Sequence, residues 1–434
     1  MSSINYTYSR EIPVIKTADV VVFGGGPGGL GAAVTAARNG VSVVLVERYG
    51  CLGGMASFGE VHPFMPNHVD GKPLDGPVYT EWIKAMERYQ PAGNNDRFIH
   101  KDAAALAAED LILGAGGELL YHHTVTDTVV TDRKIDAAVL HSKSGFCAVR
   151  GKVYIDCTGD ADLAALSGCE IEQGGPSGHS QPMTLCFKLR NIDIETARRE
   201  TESANIGELR KYISREYEEA KDRGELRCPR EDVLFFSWFD EDILHFNTTR
   251  IIHKNGVKGQ ELSEAEIEGR KQVREFLDFF RNRIPGFENC RIHSMAHHIG
   301  IRETRRVRGL KYLTRTAFEK ALKVPDAIAR CRYPIDIHNP DGTGTEFIGM
   351  KQDDWYEIPY GCTVSKDIDN LLIGGRPISV DHALHSSMRV MPPACSVGQG
   401  AGIGAALSVR KGCLPGDVDG REVHSLLKEQ GAPL

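Results

Sequence analysis

The chain has 434 residues, 41% of them hydrophobic and 26% charged, and its formal net charge is −7. A globular chain of this length and composition forms two domains or one large two-lobed unit, and its acidic balance argues against a nucleic-acid-binding surface. The longest apolar runs are too short to span a bilayer, and the amino terminus lacks the apolar stretch of a secretory signal.

The first predicted unit, within residues 18–47, is a strand, a glycine-rich turn, a helix and a second strand. Both apolar runs are continuous, as in parallel strands that are covered on both faces. The turn holds the pattern Gly24-x-Gly26-x-x-Gly29, and Glu47 ends the second strand. These glycines permit a tight turn, the approach of a pyrophosphate and close helix–strand packing. With the helix amino terminus and an acid for a ribose, the unit predicts a dinucleotide site.

The next elements alternate between helices and strands. One helix is predicted around Val78–Tyr89, and the alanine-rich stretch "KDAAALAAEDLILGAG" predicts another that ends within residues 114–117. The stretches "TVTDTVVTD", "KIDAAVLHS" and "FCAVRGKVYIDCTG" then have strand character. They predict a small antiparallel meander that returns to the parallel sheet.

Residues 192–330 differ from the preceding segments in their sequence pattern. Long charged helical stretches at about Ile192–Gly224 and Ser263–Arg283 flank the strand-like segments "VLFFSWF" and "ILHFNTTRII". Capping boxes are predicted where Ser263 precedes Glu266 and where Thr316 precedes Glu319. This middle section is expected to form a separate lobe.

Three further stretches favour a flavin dinucleotide over a nicotinamide one. The doublet Gly53-Gly54 lets the backbone pass close to a cofactor, and residues 158–160 end a strand at the rim where such sheets bind ligands. Near the carboxyl terminus, "NLLIGGRPISVDHALHSSMRVMPPACSVGQGAGIGAAL" predicts a strand, a long turn and a glycine-rich helix. A chain that returns from a distant lobe to complete the first site indicates a large, permanently held cofactor.

Together these motifs resemble the FAD-dependent oxidoreductases of the glutathione-reductase-like superfamily, which are related to the fumarate reductase flavoproteins. The resemblance covers most of the chain and rests on "GGGPGG", "ER…LGGM", "IDCTGDADLAALSG", "GIRETRRVRG", "IPYGCTVSKDIDNLLIGGR" and "RVMPPACSVGQGAGIGAA". It implies FAD rather than FMN, because the site at Glu47 binds a second ribose. We expect the FAD to be non-covalent, although His62 lies close enough to the glycine doublet to be a covalent anchor.

The resemblance implies an α/β fold in four segments. Residues 14–172 would form the first part of a Rossmann-like FAD-binding domain, a parallel sheet with an antiparallel β-meander. Residues 173–360 would form an inserted α+β cap lobe over the substrate. Residues 361–415 would return to the FAD-binding domain, and residues 416–434 would form a tail helix.

The resemblance also implies which residues bind FAD. The first glycines and the strand-end acid would hold the diphosphate and the ribose, and Val125 would hold the adenine. The dipole of a helix that starts near Gly398 would stabilise the reduced flavin. The predicted cofactor residues are Gly24, Gly26, Gly28, Gly29, Glu47, Arg48, Gly53, Gly54, Met55, Val125, Thr158, Gly159, Gly375, Arg376, Gly398, Gly400, Gly402 and Ile403.

The candidate catalytic residues are His298, Arg302, His385 and Arg389. Four arginines within residues 302–308 could clamp a carboxylate or phosphate, or could instead pair with acids or face water. Arg302 is the preferred clamp and Arg308 the weakest. A histidine has the pKa to exchange a proton near neutral pH, but a histidine bonded to the backbone fits the same pattern.

The expected function is hydride transfer between flavin and a small polar or anionic organic substrate, by dehydrogenation or C=C reduction. The alternatives are a flavin-dependent tRNA-modifying protein and a flavoprotein subunit that passes electrons to an iron–sulfur partner. A disulfide reductase is disfavoured because no second cysteine follows Cys51 at the required spacing. The electron acceptor is left open, and a homo-oligomer is compatible with the sequence.

The 11 cysteines are scattered, and none forms a C-x-x-C pair, so the spacing of zinc and iron–sulfur sites is absent. An odd, unpatterned set is typical of a reducing compartment. We therefore expect a cytoplasmic protein without a bound metal.

Overall fold

The computed structural model describes residue 4 and residues 9–91, 98–351 and 353–434. The strands are β1 (Val14–Phe23), β2 (Val43–Val46), β3 (His68–Val69), β4 (Lys72–Pro73), β5 (Glu118–Leu120), β6 (Thr124–Thr131), β7 (Lys134–Ser142), β8 (Gly145–Asp156), β9 (Ile171–Gln173), β10 (Phe187–Arg190), β11 (Phe235–Ser237), β12 (Leu244–Phe246), β13 (Arg291–Met295), β14 (Arg305–Val307), β15 (Ala327–Cys331), β16 (Ile335–His338), β17 (Thr345–Ile348), β18 (Tyr356–Pro359) and β19 (Leu371–Ile373). The helices are α1 (Pro27–Arg38), α2 (Val78–Met86), α3 (Lys101–Gly114), α4 (Asp162–Leu166), α5 (Ile194–Glu200), α6 (Ile206–Asp222), α7 (Gly259–Arg283), α8 (Arg315–Glu319), α9 (His382–Met388), α10 (Met391–Lys411) and α11 (Gly420–Glu429).

The fold is built on a seven-stranded sheet with the order β5-β2-β1-β8-β7-β6, in which β19 pairs with the end of β8. Strands β1, β2, β5, β8 and β19 are parallel, and β6, β7 and the first half of β8 form the antiparallel meander. The apolar runs 20–23 and 43–46 are fully buried, and α1 and α10 pack on the sheet. The predicted α/β class, a Rossmann-like sheet with a meander, is confirmed.

A second core lies in the middle of the chain. The antiparallel sheet β11-β12-β10-β13 shares this core with α6 and α7. Aromatic rings fill it: Phe187 stacks on Phe246, and Phe246 contacts Phe280, each pair with its ring centroids 4.9 Å apart. Residues 307–358, although within the predicted cap segment, contribute to the large core instead. The domain boundaries themselves stay a prediction.

The predicted helices are present, but neither predicted capping box starts a helix. Helix α7 begins at Gly259 and α8 at Arg315, so Ser263 and Thr316 lie inside helices and the two capping boxes are wrong. In α7 the carboxylate of Glu266 accepts from the N–H of Ile299 and from the Arg270 guanidinium instead of capping the helix. None of the helices in the described residues is both long and apolar enough to cross a membrane.

Helix α10 packs against α1 with almost no side chain between the two backbones. A Cβ added to Gly398 would lie 2.0 Å from the carbonyl oxygen of Gly28, and one added to Gly402 would lie 2.4 Å from that of Ala32. Real Cβ atoms do not approach so closely. These glycines therefore allow the helix–helix contact.

We expect Gly402→Ala to lower the free energy of unfolding by about 1–3 kcal/mol, because the methyl group overpacks the contact between α1 and α10. Gly114→Ala is the matched control, since its Cβ would meet nothing within 4 Å at the end of α3. Chemical denaturation measures the difference. Equal stability of the two variants would contradict this packing.

Candidate cofactor and substrate cavity

A cavity of about 410 Å³ opens where the chain leaves β1, β2, β8 and β19, and this volume is typical of a small-molecule site. We divide its lining into three regions. The glycine region contains Gly24, Gly26, Gly28, Glu47, Arg48, Gly54, Thr158, Gly159, Gly375 and Arg376; the apolar region contains Met55, Phe58, Phe64, Leu234, Phe236 and Met391; and the arginine region contains Arg230, Arg302, Tyr333, Asp336, His338 and Arg389.

The glycines of the first turn have different structural roles. Gly24 has φ +94°, and its added Cβ would lie 2.4 Å from the carbonyl oxygen of Cys157; that of Gly29 would lie 1.8 Å from the carbonyl oxygen of Gly24. Both positions therefore serve close backbone packing. At Gly26, by contrast, the nearest atom would be the Cα of Gly54 at 3.8 Å. The absent side chain of Gly26 leaves space that opens into the cavity.

Helix α1 starts beside this open space without a capping side chain. The N–H groups of a helix's first turn lack partners within the helix, and they carry a partial positive charge. Because Gly26 is the N-cap residue and lines the cavity, these N–H groups are available to an anion there. A diphosphate suits this arrangement.

Glu47 both organises the turn and offers acceptor atoms to a ligand. Its carboxylate accepts from the N–H of Gly25 at 2.6 Å and from the N–H of Tyr49 at 2.9 Å. Each carboxylate oxygen can accept a further hydrogen bond. The buried acid can therefore receive ribose hydroxyls while it fixes the turn.

The segment after β19 completes the glycine region from far along the chain. A Cβ on Gly28 would lie 2.8 Å from the Cα of Gly375. The Arg376 guanidinium donates to the carbonyl oxygens of Gly159 and Ile301, at 2.7 and 2.8 Å, and forms an ion pair with a carboxylate, that of Asp160, at 2.9 Å. Arg376 lines the cavity, but its donors hold three segments of the protein together.

Eight predicted residues lie outside the lining of this cavity, and their binding or catalytic roles stay predictions. They are Gly29, Gly53, Val125, His385, Gly398, Gly400, Gly402 and Ile403. Gly53 donates its N–H to Gly25, and Val125 pairs with Leu140 in the meander. Helix α10 begins at Met391 rather than near Gly398, so its glycines face α1 or Ile328 and Ile403 lies in the core.

The arginines of the stretch 302–308 separate into two groups. Arg305 pairs with Asp162, Arg306 with Glu303 and Arg308 with Glu172. Arg302, in contrast, donates from Nη1 to the carbonyl oxygen of Pro182 at 2.8 Å and to Thr184 Oγ1 at 2.6 Å, and it pairs with no carboxylate of the described residues. Burial, and then the neighbouring Arg389, lower the pKa of Arg302 to about 9.

Four other residues of the arginine region were not predicted. Arg230 pairs with Asp232 at 3.0 Å, and the Tyr333 hydroxyl donates to Asp336 at 3.1 Å. His338 Nδ1 accepts from Arg250 at 3.0 Å, so its Nε2 carries the hydrogen. They come from a loop and from short strands without a recognisable motif. The only sequence signal for these residues was the presence of Asp336 and His338 in the otherwise largely apolar segment "YPIDIH".

Arg389 is the one predicted residue of the last turn that reaches the arginine region. Its Nη2 lies 3.5 Å from an Asp336 carboxylate oxygen, and within the described chain its buried Nε has no partner. Arg389 directly follows a short helix, α9, of which it is the C-cap residue, where the sequence predicted a turn.

The two predicted catalytic histidines do not belong to the arginine region. His298 lines the cavity, but its ring packs 5.6 Å from that of Tyr49, next to Arg48, and its Nδ1 donates to the carbonyl oxygen of Ile299 at 2.6 Å. Burial lowers its pKa. His385 is 1% exposed, and burial holds its pKa well below the usual range. His385 also lies outside the cavity lining, so its role in proton exchange stays a prediction.

His62, considered above as a covalent anchor, also lies outside the lining. It is 1% exposed, its Nε2 donates to the carbonyl oxygen of Ala56 at 3.1 Å, and its ring stacks on Trp238 at 5.5 Å. Burial lowers its pKa to about 3. The ring is enclosed by protein.

Comparison with known proteins identifies the family of this chain. A model of the family described as FAD dependent oxidoreductase matches residues 19–427. Thiamine thiazole synthase of Methanococcus maripaludis is 31% identical over 168 residues, 36% of this chain and 62% of that protein. Digeranylgeranylglycerophospholipid reductase of Thermoplasma volcanium is 28% identical over 209 residues, 42% of this chain and 49% of that protein. The chain thus spans about half to three-fifths of these relatives.

Two solved structures cover nearly the whole chain at low identity. A geranylgeranyl bacteriochlorophyll reductase-like protein from Thermoplasma acidophilum is 14% identical with a TM-score of 0.45, over 96% of this chain and 84% of that one. The flavin-dependent brominase Bmp2 is 11% identical with a TM-score of 0.47, over 95% of this chain and 83% of that one.

Gly26→Ala is expected to fold normally and to lose FAD. The methyl group has room in the protein but occupies the space that a diphosphate needs, so the Kd for FAD should rise at least about tenfold, or 1.4 kcal/mol. Flavin absorbance after purification, with far-UV circular dichroism, tests this. Gly24→Ala should instead prevent folding. Normal FAD content in Gly26→Ala would show that the diphosphate binds elsewhere.

Proposed function

The chain belongs to the FAD-dependent oxidoreductase family, and on that premise we propose that it oxidises or reduces a small organic anion held in the arginine region. The observation that carries this proposal is Arg302, a half-buried guanidinium that lines the cavity and pairs with no carboxylate among the described residues. A charge that is partly removed from water and lacks a counter-ion is destabilising. An anionic ligand would supply the missing partner.

FAD is the cofactor of this family, and the residues of the glycine region fit it. Gly26 and the first turn of α1 would hold the diphosphate, Glu47 would accept from a ribose, and the apolar region suits an aromatic ring system. When bound, FAD supplies the two-electron acceptor or donor of the reaction. We propose that it is held without a covalent bond, because His62 is enclosed by protein.

The finer relationship is also a proposal. The six ordered motifs support a place in the glutathione-reductase-like superfamily, beside the fumarate reductase flavoproteins. The two named relatives do not define the substrate, because each match covers less than two thirds of the relative.

Arg302 is suited to recognising a carboxylate or phosphate. Only its Nη1 donates to protein atoms in the described part of the chain, which leaves Nε and Nη2 for a ligand. A planar guanidinium can offer two parallel donors to one carboxylate. The lowered pKa of Arg302, to about 9, reflects burial and a neighbouring cation, Arg389. A bound anion would offset both effects.

The arginine region has one unpaired cation, Arg302, among its described residues, and is not a general positive patch. Arg230 is paired with Asp232 and Arg389 lies 3.5 Å from Asp336. The arginine region therefore has about one positive charge to offer. We infer that the substrate presents one anionic group to Arg302, and that its reacting carbon is oriented by this contact.

Proton exchange is assigned to Asp336, assisted by two neutral donors. Tyr333 donates its hydroxyl to Asp336, and the Nε2 of His338 lies 3.6 Å from the same carboxylate. Burial, together with Arg302 and its neighbouring arginines, holds the pKa of His338 well below the usual range, so this imidazole is uncharged at neutral pH. The His338 imidazole would donate a hydrogen bond to the Asp336 carboxylate. Asp336 would accept a proton from the substrate or return one to it.

Neither alternative function has a specific observation in its favour. An RNA-binding role would use the basic stretch 302–308, but three of its arginines are ion-paired within the protein and Arg302 faces the cavity. An electron-transfer subunit would need an iron–sulfur partner, and no feature of the described residues specifies such a partner. The small-anion oxidoreductase is therefore the function we propose.

Arg302→Met should keep its FAD spectrum and lose substrate-driven flavin reduction by at least about 100-fold, which corresponds to about 2.7 kcal/mol of lost charge-assisted binding. The measurement is anaerobic stopped-flow mixing of FAD-loaded protein with a panel of hydroxy, amino and unsaturated carboxylic acids and their uncharged esters. Arg302→Lys should recover only part of the rate, because a lysine lacks the planar fork.

Arg308→Met is the matched control, since Arg308 belongs to the same stretch but pairs with Glu172 outside the cavity. It should reduce at the wild-type rate. If Arg302→Met also reduces at that rate, the arginine is structural. If only the uncharged esters bleach the flavin, the substrate is not an anion.

A further inference from the structure

We propose that His179, His253 and Asp341 form a surface site for a divalent transition metal of the zinc class. Three segments that are far apart in sequence bring these side chains together. His179 Nδ1 lies 2.6 Å from Asp341 Oδ1, and His253 Nε2 lies 3.2 Å from the same oxygen. One ligand atom from each of the three residues lies within 4.8 Å of the other two.

The donor set matches the preference of zinc. Zn²⁺ binds imidazole nitrogens and carboxylate oxygens at about 2.0–2.2 Å, usually in a tetrahedron, in which neighbouring ligand atoms are about 3.3 Å apart. Small side-chain rotations would bring the three ligand atoms to that spacing. The fourth position would be taken by water, because all three residues are exposed. Cu²⁺ and Ni²⁺ also bind such ligands, but hard ions such as Mg²⁺ prefer oxygen.

Stability of the fold does not account for this arrangement. Both imidazoles lie against one oxygen of a single exposed carboxylate. Exposed ion pairs of this kind contribute little to the stability of a fold. His253 also has φ 56°, a left-handed conformation that is uncommon for residues other than glycine. A bound metal would take both imidazoles as ligands, whereas without a metal they share one carboxylate oxygen.

The position of the triad gives the metal a structural role. Asp341 lies in the turn between β16 and β17, and the two ends of this turn, His338 and Thr345, line the cavity. Arg250 donates to the carbonyl oxygens of Gly342 and Gly344 from the inner side. A metal would link the turn to residues 174–181 and 251–258 on the outer side. The metal would thereby fasten one wall of the arginine region.

The test is calorimetric titration of Zn²⁺ into untagged, metal-free, FAD-loaded protein. We expect one ion per chain, with a Kd that rises at least about tenfold in His179→Ala and in His253→Ala, since even second-shell changes cost 10–100-fold. His141→Ala is the matched control, because His141 is exposed but lies on β7, away from the triad. Its binding should equal that of the wild type.

Hydrogen exchange of residues 339–344 provides a second measurement that does not depend on catalysis. Zn²⁺ should slow this exchange in the wild type and leave it unchanged in Asp341→Asn, which keeps the shape of the side chain but lacks the anionic ligand. Absence of stoichiometric binding, or binding unchanged in both histidine variants, would show that the triad is only hydrogen-bonded. Binding without slower exchange would overturn the fastening role. Since neither measurement uses a substrate, failure here leaves the proposed function untouched.

Discussion

Contact between bare backbones on two sides of helix α1 is the constraint on which the rest of the structure depends. On the sheet side, a Cβ at Gly29 would meet the carbonyl oxygen of Gly24 at 1.8 Å; on the α10 side, a Cβ at Gly31 would meet that of Cys395 at 2.2 Å. No side chain fits in either contact. Glycine costs conformational entropy on folding, so this packing must be compensated by the buried surface that it allows.

The geometry of the cavity follows from this packing. Because α1 and α10 touch, Gly375 in the turn after β19 comes into contact with Gly28. The first residues of the two helices, Pro27 of α1 and Met391 of α10, both line the cavity. The glycine region is therefore built from both ends of the chain. The middle section of the chain then adds Leu234 and Phe236 to the apolar region. A cofactor bound there would contact elements that cannot separate without breaking the core.

Charge is distributed in this cavity so that most of it is neutralised by the protein itself. In the lining, Arg376 is held by Asp160 and two carbonyl oxygens. Outside the lining, Arg306 is held by Glu303. Such buried pairs fix segments relative to one another and contribute little net stability. Arg302 differs because its donors are only partly used. The contrast between paired and free arginines, more than their number, points to the ligand's charge.

The sequence was sufficient to predict the elements that are determined by a local pattern. Strand and helix periods gave the β-α-β unit and the meander, and the distinct roles of Gly24, Gly26 and Gly29 follow from their spacing. Glycines within a helix are ambiguous, because close contact with a cofactor and with another helix both require them. Only the partner atoms showed that Gly398 and Gly402 pack on α1.

Long-range contacts explain the remaining differences. His385 has suitable chemistry for proton exchange, but its burial depends on how α9 packs. The pattern gave no reason to connect Asp336 with Arg302, because Asp336 lies on the short strand β16 and Arg302 in the loop before β14. Likewise, the sequence could not show that Glu266 bonds to Ile299 rather than capping α7.

We infer that one cavity holds FAD in its glycine region and an organic anion at Arg302. A crystal structure of the FAD-loaded protein soaked with a slowly reacting carboxylic acid would locate both groups. We expect the diphosphate at the first turn of α1 beside Gly26, and the carboxylate on Nε and Nη2 of Arg302. FAD bound away from Gly26, or a carboxylate bound elsewhere while Arg302 pairs with a protein acid, would contradict this inference.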